Sequence, residues 1–260
     1  MPSDTDLIRL DGVSMKYRLA RQRQPSFKEY ALHWVRGALV YEDLWALSDV
    51  SLRIGSGESI GIIGRNGAGK STLLKVISRV LAPTGGQVDV RGRVVPVLDL
   101  GAGLDPELSG LENIYLNAMF LGRTRAEVAA ACDGIVAASG LGEFIDSPLR
   151  NYSAGMAARL AFSVATAWVP DVLILDEGLA VGDAGFVAKC HQRLQEFRDR
   201  GATVLVVSHA PQEIRASCRR SIWIDGGRVR ADGPTEEVMT RYTDFVATRR
   251  AAIGAPDRSS

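Results

Sequence analysis

The stretch "GRNGAGKS", Gly64 to Ser71, limits the possible folds of this chain more than any other part. It matches the pattern G-x-x-x-x-G-K-S/T, follows the apolar run "SIGII" and precedes "STLLKVI", which has helical spacing. A glycine loop between a strand and a helix lets several backbone N–H groups converge on phosphate oxygens. The sequence therefore predicts a phosphate-binding loop, and a glycine turn without a ligand is the alternative.

The residue types in this loop indicate which phosphate compound it binds. Lys70 can place a positive charge on the β- and γ-phosphates of a nucleotide, and the Ser71 hydroxyl can ligate Mg²⁺. A nucleotide with β- and γ-phosphates and Mg²⁺ are therefore the expected ligands. The nucleotide-binding residues that we predict from the loop are Gly64, Asn66, Gly67, Gly69, Lys70, Ser71 and Thr72.

Two later runs, "DVLILDE" and "ATVLVVSH", are almost continuously apolar and predict buried parallel strands. Asp176 leaves the end of the first strand, where it can hold the Mg²⁺ shell, and Glu177 follows as a base for attacking water. His209 ends the second strand, where open α/β sheets place ligand groups. In isolation such residues are more often a solvated strand end and a structural histidine. Beside a phosphate loop, we predict that Glu177 and His209 are catalytic.

The remaining pattern predicts an α/β fold. Helical segments alternate with the buried strands, which favours a parallel core sheet. "LIRLDGVSMKYRL", "LWALSDVSLRI" and "GQVDVRGRVVPVLDL" predict further strands, and residues from about 105 to 165 are dominated by helix. A last helix begins near Thr235. The net charge of +1 gives no field that points to nucleic acid.

The cysteine pattern and the hydropathy indicate where the chain works. Cys132, Cys190 and Cys218 are odd in number and widely spaced, so we expect buried thiols in a reducing compartment. The N-terminus lacks a basic segment followed by an apolar core, and no apolar run reaches the roughly 18 residues that a span needs. We expect a cytosolic chain that reaches a membrane only through a partner.

An insertion separates the first two predicted strands. It begins with basic residues and becomes helical, with an apolar face at 3–4 residue spacing. That face belongs either to a helix packed on the chain's own sheet or to a helix against a membrane or a partner. The apolar residues of the face are Phe27, Ala31, Trp34, Val35 and Ala38.

The stretch "RNYSAGMAARLAF" places Ser153 directly before a helix-forming run. Ser153 is a good N-cap residue, and in an isolated stretch a plain cap is the usual interpretation. The free N–H groups and positive dipole of a helix start also suit a phosphate. Both interpretations stay open on the local sequence.

The order of the phosphate loop, "YSAGM", "LILDE" and "VVSH" resembles the ATP-binding-cassette (ABC) ATPases. The resemblance implies a P-loop NTPase with a RecA-like parallel-sheet core, an antiparallel β subdomain and an α-helical signature subdomain. It also implies a head-to-tail homodimer in which the signature residues Ser153, Ala154 and Gly155 cap the γ-phosphate bound to the other subunit. Ala154 departs from the usual glycine of that motif.

The same resemblance assigns three further residues. Tyr17 would stack on adenine, and Asp183 would be the aspartate of the D-loop. Where most members carry a Q-loop glutamine, this chain has "VLDLGAG", and Asp99 is the nearest polar residue, with a one-residue shift of the alignment as the alternative. Asp99 is then the third residue, after Ser71 and Asp176, expected at the metal.

Three stretches, "YSAGMAARLAF", "DEGLAVGDAGFVAKC" and "LGAGLDPELSGLENIYLN", resemble the ATPase subunits of bacterial polysaccharide exporters. The likeness runs from about Leu7 to Tyr242, and in this subgroup an insertion like that around Phe27–Leu39 lies near the membrane. It implies an ATPase that powers export of a lipid-linked polysaccharide or glycan precursor. By the same resemblance, this ATPase would work beneath an integral membrane permease, at the cytoplasmic face of the bacterial plasma membrane. A lipid or drug exporter and a soluble, non-transport ABC ATPase scaffold are the alternatives.

We expect one domain over residues 1–260, divided into four parts. The first part, 1–100, contains the β subdomain and the phosphate loop, with the amphipathic insertion at about 25–40. The second part, about 101–165, is the helical subdomain with the signature motif. The third, about 166–240, carries the Asp176–Glu177 and His209 strands, and the fourth, 241–260, is a C-terminal tail.

Overall fold

The computed structural model describes residues 6–20, 41–97, 103–176, 184–208 and 211–253. Nine strands occur in these ranges: β1 Asp6–Ala20, β2 Tyr41–Gly55, β3 Ser59–Ile63, β4 Gly85–Val90, β5 Val94–Val97, β6 Val172–Asp176, β7 Thr203–Val207, β8 Arg220–Asp225 and β9 Arg228–Pro234. The α-helices in the same ranges are α1 Lys70–Ile77, α2 Gly110–Phe120, α3 Arg125–Ser139, α4 Ala154–Ala165, α5 Ala184–Asp199, α6 Pro211–Ser217 and α7 Thr235–Ile253.

The larger sheet has the strand order β5-β6-β7-β3-β8-β9. The first five of these strands are parallel, and β9 is antiparallel to β8. The runs predicted to be buried parallel strands are β6 and β7, and every residue of β7 is buried. Helices connect these strands, so the predicted parallel α/β core is confirmed.

The smaller sheet has the order β2-β1-β4 and is antiparallel throughout. Its alternating apolar residues, such as Ile8, Leu10 and Leu52, share one core with Ile62 of β3 and Leu73 of α1. The two sheets and the helix after the phosphate loop therefore pack as one layered body.

The stretch "GQVDVRGRVVPVLDL" contains two strands that belong to different sheets. β4 pairs with β1 in the small sheet, whereas β5 pairs with β6 in the large sheet. Between them the Arg91 N–H donates to the carbonyl of Leu7 at 2.8 Å, and the Arg93 N–H donates to the carboxylate of Asp171 at 2.6 Å. These bonds turn the chain from one sheet to the other, so residues 1–100 contribute to both sheets.

Helices α2, α3 and α4 form a helical subdomain, residues 103–165, with its own apolar cluster around Ile114, Val128 and Leu160. Helices α2 and α3 begin with capping boxes, Ser109 with Glu112 and Thr124 with Glu127. The hydrogen bond from the Ser109 backbone holds the pKa of the Glu112 carboxyl below its ordinary value. The S/T-x-x-E spacing of these boxes is visible in the sequence.

Helix α7 begins at Thr235, as the sequence predicts, and covers one face of β8. The ring of Trp223 lies 5.7 Å from that of Tyr242 and 5.0 Å from that of Phe245. The first residues of the part expected to be a C-terminal tail, 241–260, therefore continue helix α7, and Tyr242 and Phe245 pack against the core.

The three predicted buried thiols are buried and free. Burial raises the pKa of Cys190 and that of Cys218 to about 11. Among the residues that the structure describes, no helix has the length and hydropathy needed to cross a membrane. The amphipathic insertion, including Phe27, Trp34 and Val35, lies outside the described residues.

Candidate nucleotide-binding site

The phosphate loop closes around the side chain of Lys70. Lys70 is the first residue of α1 and is only 6% exposed, and its ammonium group donates to the carbonyls of Gly64 at 2.9 Å and Arg65 at 3.1 Å. A buried ammonium group needs such acceptors. The carbonyls fix the cation inside the loop, while the loop residues Arg65, Asn66 and Gly67 are exposed.

Two glycines give the loop its shape. Gly69 has φ 108°, and a Cβ there would lie 2.5 Å from the carbonyl oxygen of Ala46, so no larger residue fits. Gly67 has φ 74°, and a Cβ there would meet no atom within 4 Å. The loop is therefore pressed against the small sheet at Gly69 and open at Gly67, where a ligand can approach the backbone.

The turn between β8 and β9 supports the loop from behind. The Gly227 N–H donates to the carbonyl of Ala68 at 2.9 Å, and the Gly227 carbonyl accepts from the Ser48 N–H at 2.8 Å. One residue thus joins the loop to β2. Gly227 was not predicted from the sequence, because a turn glycine in "DGGR" gives no sign that it contacts Ala68, 159 residues earlier.

The start of α1 suits an anion. Gly69 caps the helix without a side chain, and its first turn contains no acidic residue, so the first N–H groups and the dipole act on whatever lies in the loop. Ser71 is exposed and Thr72 half-buried in the same turn. Tyr17 of β1 lies beside them, with its hydroxyl 3.4 Å from the Thr72 hydroxyl oxygen.

Strands β6, β7 and β3 are consecutive in the large sheet and parallel, so their carboxyl ends lie at one edge. The phosphate loop leaves β3 there, and Asp176 ends β6 opposite Val207 of β7. The structure therefore brings Asp176 to the same edge as the loop. Glu177, Asp183, His209 and Asp99 lie outside the described residues, so their predicted roles stay predictions.

The side chains at this edge offer oxygen donors for a divalent cation. The Ser71 hydroxyl and the Asp176 carboxylate are the hard ligands that Mg²⁺ takes, with phosphate oxygens and water completing its shell. Among the described residues no cluster of three or more acidic, histidine or cysteine side chains suits a metal ion. This donor set fits a cation that is shared with a nucleotide.

Ser153 forms an N-cap. It precedes α4 with extended backbone angles, φ −69° and ψ 159°, and its hydroxyl oxygen accepts from the Met156 N–H at 3.2 Å. The first turn of α4 carries no acidic residue, and Ser153 and Ala154 are exposed while Gly155 is half-buried. The hydroxyl hydrogen stays available for an acceptor, so the cap and an anion site are compatible.

The match to known families agrees with this geometry. The family model described as ABC transporter matches residues 47–180, just over half of the chain. This range contains the phosphate loop, the Ser153 helix start and Asp176.

Curated relatives extend the likeness to nearly the whole chain. The O-antigen export system ATP-binding protein RfbB of Klebsiella pneumoniae is 44% identical over 93% of this chain and 99% of its own length. The protein of the same name from Myxococcus xanthus is 45% identical over 98% of this chain, which spans 60% of that relative. The teichoic acids export ATP-binding protein TagH of Lactococcus lactis is 46% identical over 79% of this chain and 44% of its own length.

Solved structures share the fold. A dimeric bacterial ABC transporter cassette superposes with a TM-score of 0.69 at 25% identity, over 88% of this chain and 98% of that one. A dimeric ATP-binding cassette in a post-hydrolysis state, bound to ADP and Pi, gives a TM-score of 0.69 at 24% identity over the same shares. Because both the family model and relatives above 40% identity cover the phosphate loop and the strands that carry it, this chain belongs to the ABC transporter ATP-binding family.

Proposed function

We propose that this chain is the ATP-hydrolysing subunit of a transporter that exports a lipid-linked polysaccharide or glycan precursor across the cytoplasmic membrane. The observation that carries the ATPase part is the phosphate loop, with buried Lys70 held by the carbonyls of Gly64 and Arg65 beneath an open helix start. The cargo class rests on relatives named for O-antigen and teichoic acid export.

ATP would lie with its phosphates in the loop and its adenine against Tyr17. The loop N–H groups and Lys70 would bind the β- and γ-phosphates, and Ser71, Asp176 and Asp99 would hold Mg²⁺. The cation supplies charge neutralisation to the phosphates when it is bound. Glu177 would accept a proton from, or orient, the attacking water, and His209 would contact the γ-phosphate.

The second half of the site would come from another subunit. The exposed start of α4 at Ser153 supports this, because it offers free N–H groups and a hydroxyl outside the loop that binds the nucleotide. Ser153, Ala154 and Gly155 would close on the γ-phosphate in a homodimer, with Asp183 at the contact between the subunits. The dimeric state of two solved cassettes supports the same arrangement.

The proposed partner is an integral membrane permease, and the proposed location is the cytoplasmic face of the bacterial plasma membrane. Supporting this, the relatives are named as ATP-binding proteins of export systems. The helical subdomain and the insertion around Phe27–Leu39 are the parts that we propose contact the permease. No contact with nucleic acid is proposed.

The chemistry is tested with Glu177→Gln. The amide keeps the shape of the carboxylate but cannot accept a proton, so steady-state hydrolysis should fall by about 10²-fold or more while ATP affinity is kept. Blocked hydrolysis should also trap an ATP-bound dimer, measurable by size. Near-normal turnover would remove Glu177 from the role of base.

The two halves of the site are separated by a second pair of variants. Lys70→Ala should weaken ATP binding to the monomer, because Lys70 lies in the loop of its own subunit. Ser153→Arg should leave monomer binding intact and block hydrolysis that depends on dimerisation. The composite site is wrong if Ser153→Arg lowers monomer affinity as much as Lys70→Ala does.

Copurification with a permease that has several spanning helices distinguishes a transporter subunit from a soluble scaffold.

A further inference from the structure

Asn113 is a fully buried polar residue that the proposed chemistry does not use. It lies in the first turn of α2 and has 0% of its surface exposed. Its side-chain oxygen accepts from the Asp105 N–H at 2.8 Å, and its side-chain nitrogen lies 3.0, 3.1 and 2.9 Å from the carbonyl oxygens of Asp105, Leu108 and Ser109. One buried amide therefore fixes the shape of the loop Asp105–Ser109.

The loop Asp105–Ser109 forms hydrogen bonds with the segment that leads into α4, the helix that Ser153 caps. The Leu149 N–H donates to the Leu108 carbonyl at 2.9 Å, and the Arg150 N–H donates to the Pro106 carbonyl at 2.9 Å. The Leu108 carbonyl thus accepts from both Asn113 and Leu149. Any change in the direction of that carbonyl is passed directly to the backbone of Leu149.

Only three residues separate Leu149 from Ser153, and they are held tightly. The Tyr152 N–H donates to the Leu149 carbonyl at 2.9 Å, which closes a single 3₁₀ turn over Leu149–Asn151. The Tyr152 hydroxyl donates to the Phe144 carbonyl at 2.6 Å, and its ring packs against the apolar cluster of the helical subdomain. The path from the loop to Ser153 therefore contains no free segment.

We propose that Asn113 is a positioning residue for Ser153. It holds the loop Asp105–Ser109 in the shape that receives Leu149 and Arg150, and so sets the point and direction at which α4 begins. This inference rests on the proposed function, in which Ser153 closes on the γ-phosphate of the other subunit. Asn113 touches no nucleotide and acts through the main chain.

Such a support is needed because a site shared between two subunits tolerates little misplacement of its residues. A hydroxyl that must meet a phosphate on another subunit cannot adjust as a ligand in its own loop can. A misplacement of about 1 Å can cost on the order of 10²-fold in rate. Because Ser153 is exposed and its own cap bond is local, its position depends on the residues before it.

The test compares Asn113→Ala with Ser139→Ala in the full-length chain. Ser139 is a matched control, because it is 1% exposed, lies in the same subdomain and hydrogen-bonds the Val136 carbonyl at 2.7 Å without touching the loop. Hydrogen–deuterium exchange should quicken in residues 149–156 of Asn113→Ala and stay unchanged there in Ser139→Ala. Equal exchange in the two variants would overturn the proposal.

Dimerisation gives the functional comparison. In the Glu177→Gln background, Asn113→Ala should need about tenfold more ATP to form the dimer, with the ATP affinity of the monomer unchanged. Ser139→Ala should form the dimer like the parent at a temperature below both melting transitions. Normal dimer formation by Asn113→Ala would show a structural role only.

A milder variant covers the case in which Asn113→Ala fails to fold. Tyr152→Phe removes one hydroxyl from a half-buried ring, so it should keep the melting temperature and still weaken ATP-induced dimerisation. Dimer formation like the parent's in this variant would count against the path through Tyr152. If Ser153→Arg blocks the dimer and both other variants do not, this inference alone is wrong. If Ser153→Arg also dimerises normally, the proposed composite site fails and the inference with it.

Discussion

Gly67 and Gly69 lie two residues apart in the phosphate loop, yet a methyl group would meet different surroundings at each. A Cβ at Gly69 would lie 2.5 Å from the Ala46 carbonyl oxygen, whereas a Cβ at Gly67 would meet nothing within 4 Å. Both residues have positive φ, so alanine adds backbone strain of about 1 kcal/mol or more at either position. The difference between them is therefore steric.

We expect Gly67→Ala to fold and Gly69→Ala to be destabilised. Gly67→Ala should cost about 1 kcal/mol of unfolding free energy and still lose ATP affinity, because its methyl group would occupy the space where phosphate oxygens approach. Gly69→Ala should lose clearly more stability, because the Ala46 backbone must move. Thermal unfolding and nucleotide titration measure the two effects. ATP binding by Gly67→Ala at the parent's affinity would contradict the proposed phosphate position.

Individual residues also show which parts of the candidate site can be predicted from the sequence. The place of Lys70 inside the loop was predictable from the glycine spacing that precedes it, and its contact with a nucleotide stays a prediction. Ser153 was predictable as a cap, and the structure confirms the cap. Asn113 was not, because its partners are main-chain N–H and carbonyl groups of a loop whose shape no residue type specifies. Gly227 was missed for the same reason.

At the level of elements, periodicity predicted the strands and helices well where burial is one-sided or complete. The apolar runs of β6 and β7 are such cases. The break between β4 and β5 was not predicted, because the alternating half "GQVDV" and the apolar half "VVPV" both have strand patterns. The position of the break is set by hydrogen bonds to residues that are distant in the sequence, Leu7 and Asp171.

The strands β1 and β2 leave apolar side chains exposed where they flank residues 21–40. Leu19, Leu44 and Trp45 are each at least half exposed, and the Arg18 side chain is 73% exposed. Exposed apolar side chains beside a basic residue suit a lipid headgroup boundary or a partner at the membrane. We therefore favour this interpretation over a helix packed on the chain's own sheet.

Trp34→Glu tests the amphipathic insertion. If the insertion serves the permease or the bilayer surface, the free subunit keeps its melting temperature and basal ATPase, while permease-coupled ATPase and export fall. If Trp34 lies in a core of this chain, the free subunit loses about 2–5 kcal/mol. Val80→Glu is the control, because Val80 is 61% exposed and lies after α1. A large drop in the melting temperature of the free subunit would decide against the membrane interpretation.

For the whole molecule, the packing of the two sheets against each other determines how the nucleotide loop is held. Arg220 of β8 links them on the side away from the loop. Its guanidinium donates to both carboxylate oxygens of Asp232 at 2.7 and 2.8 Å, to Glu58 at 2.8 Å and to the Arg53 carbonyl of β2 at 3.0 Å. Hydrogen bonding to Asp232 is the main reason that the pKa of Arg220 is raised above its ordinary value.

We expect Arg220→Met to lower the unfolding free energy by about 1–3 kcal/mol, because it leaves two carboxylates without their shared cation. The side chain of Arg220 is 28% exposed, so water screens part of this loss and the lower half of the range is expected. Arg220→Lys should recover only a part, since an ammonium group cannot make the bidentate contact with Asp232. Chemical denaturation measures the three proteins.

The ATP affinity of Arg220→Met should stay at the parent's value. The phosphate loop is tied to the small sheet by separate hydrogen bonds, from Gly227 to Ala68 and from Ser48 to Gly227, so the loop should keep its shape when Arg220 is removed. Arg228→Met is the matched control, because Arg228 on the next strand is exposed and forms no ion pair within the described residues. A loss of ATP affinity in Arg220→Met but not in Arg228→Met would mean that the Arg220 contacts, and not the Gly227 turn alone, hold the loop against the small sheet.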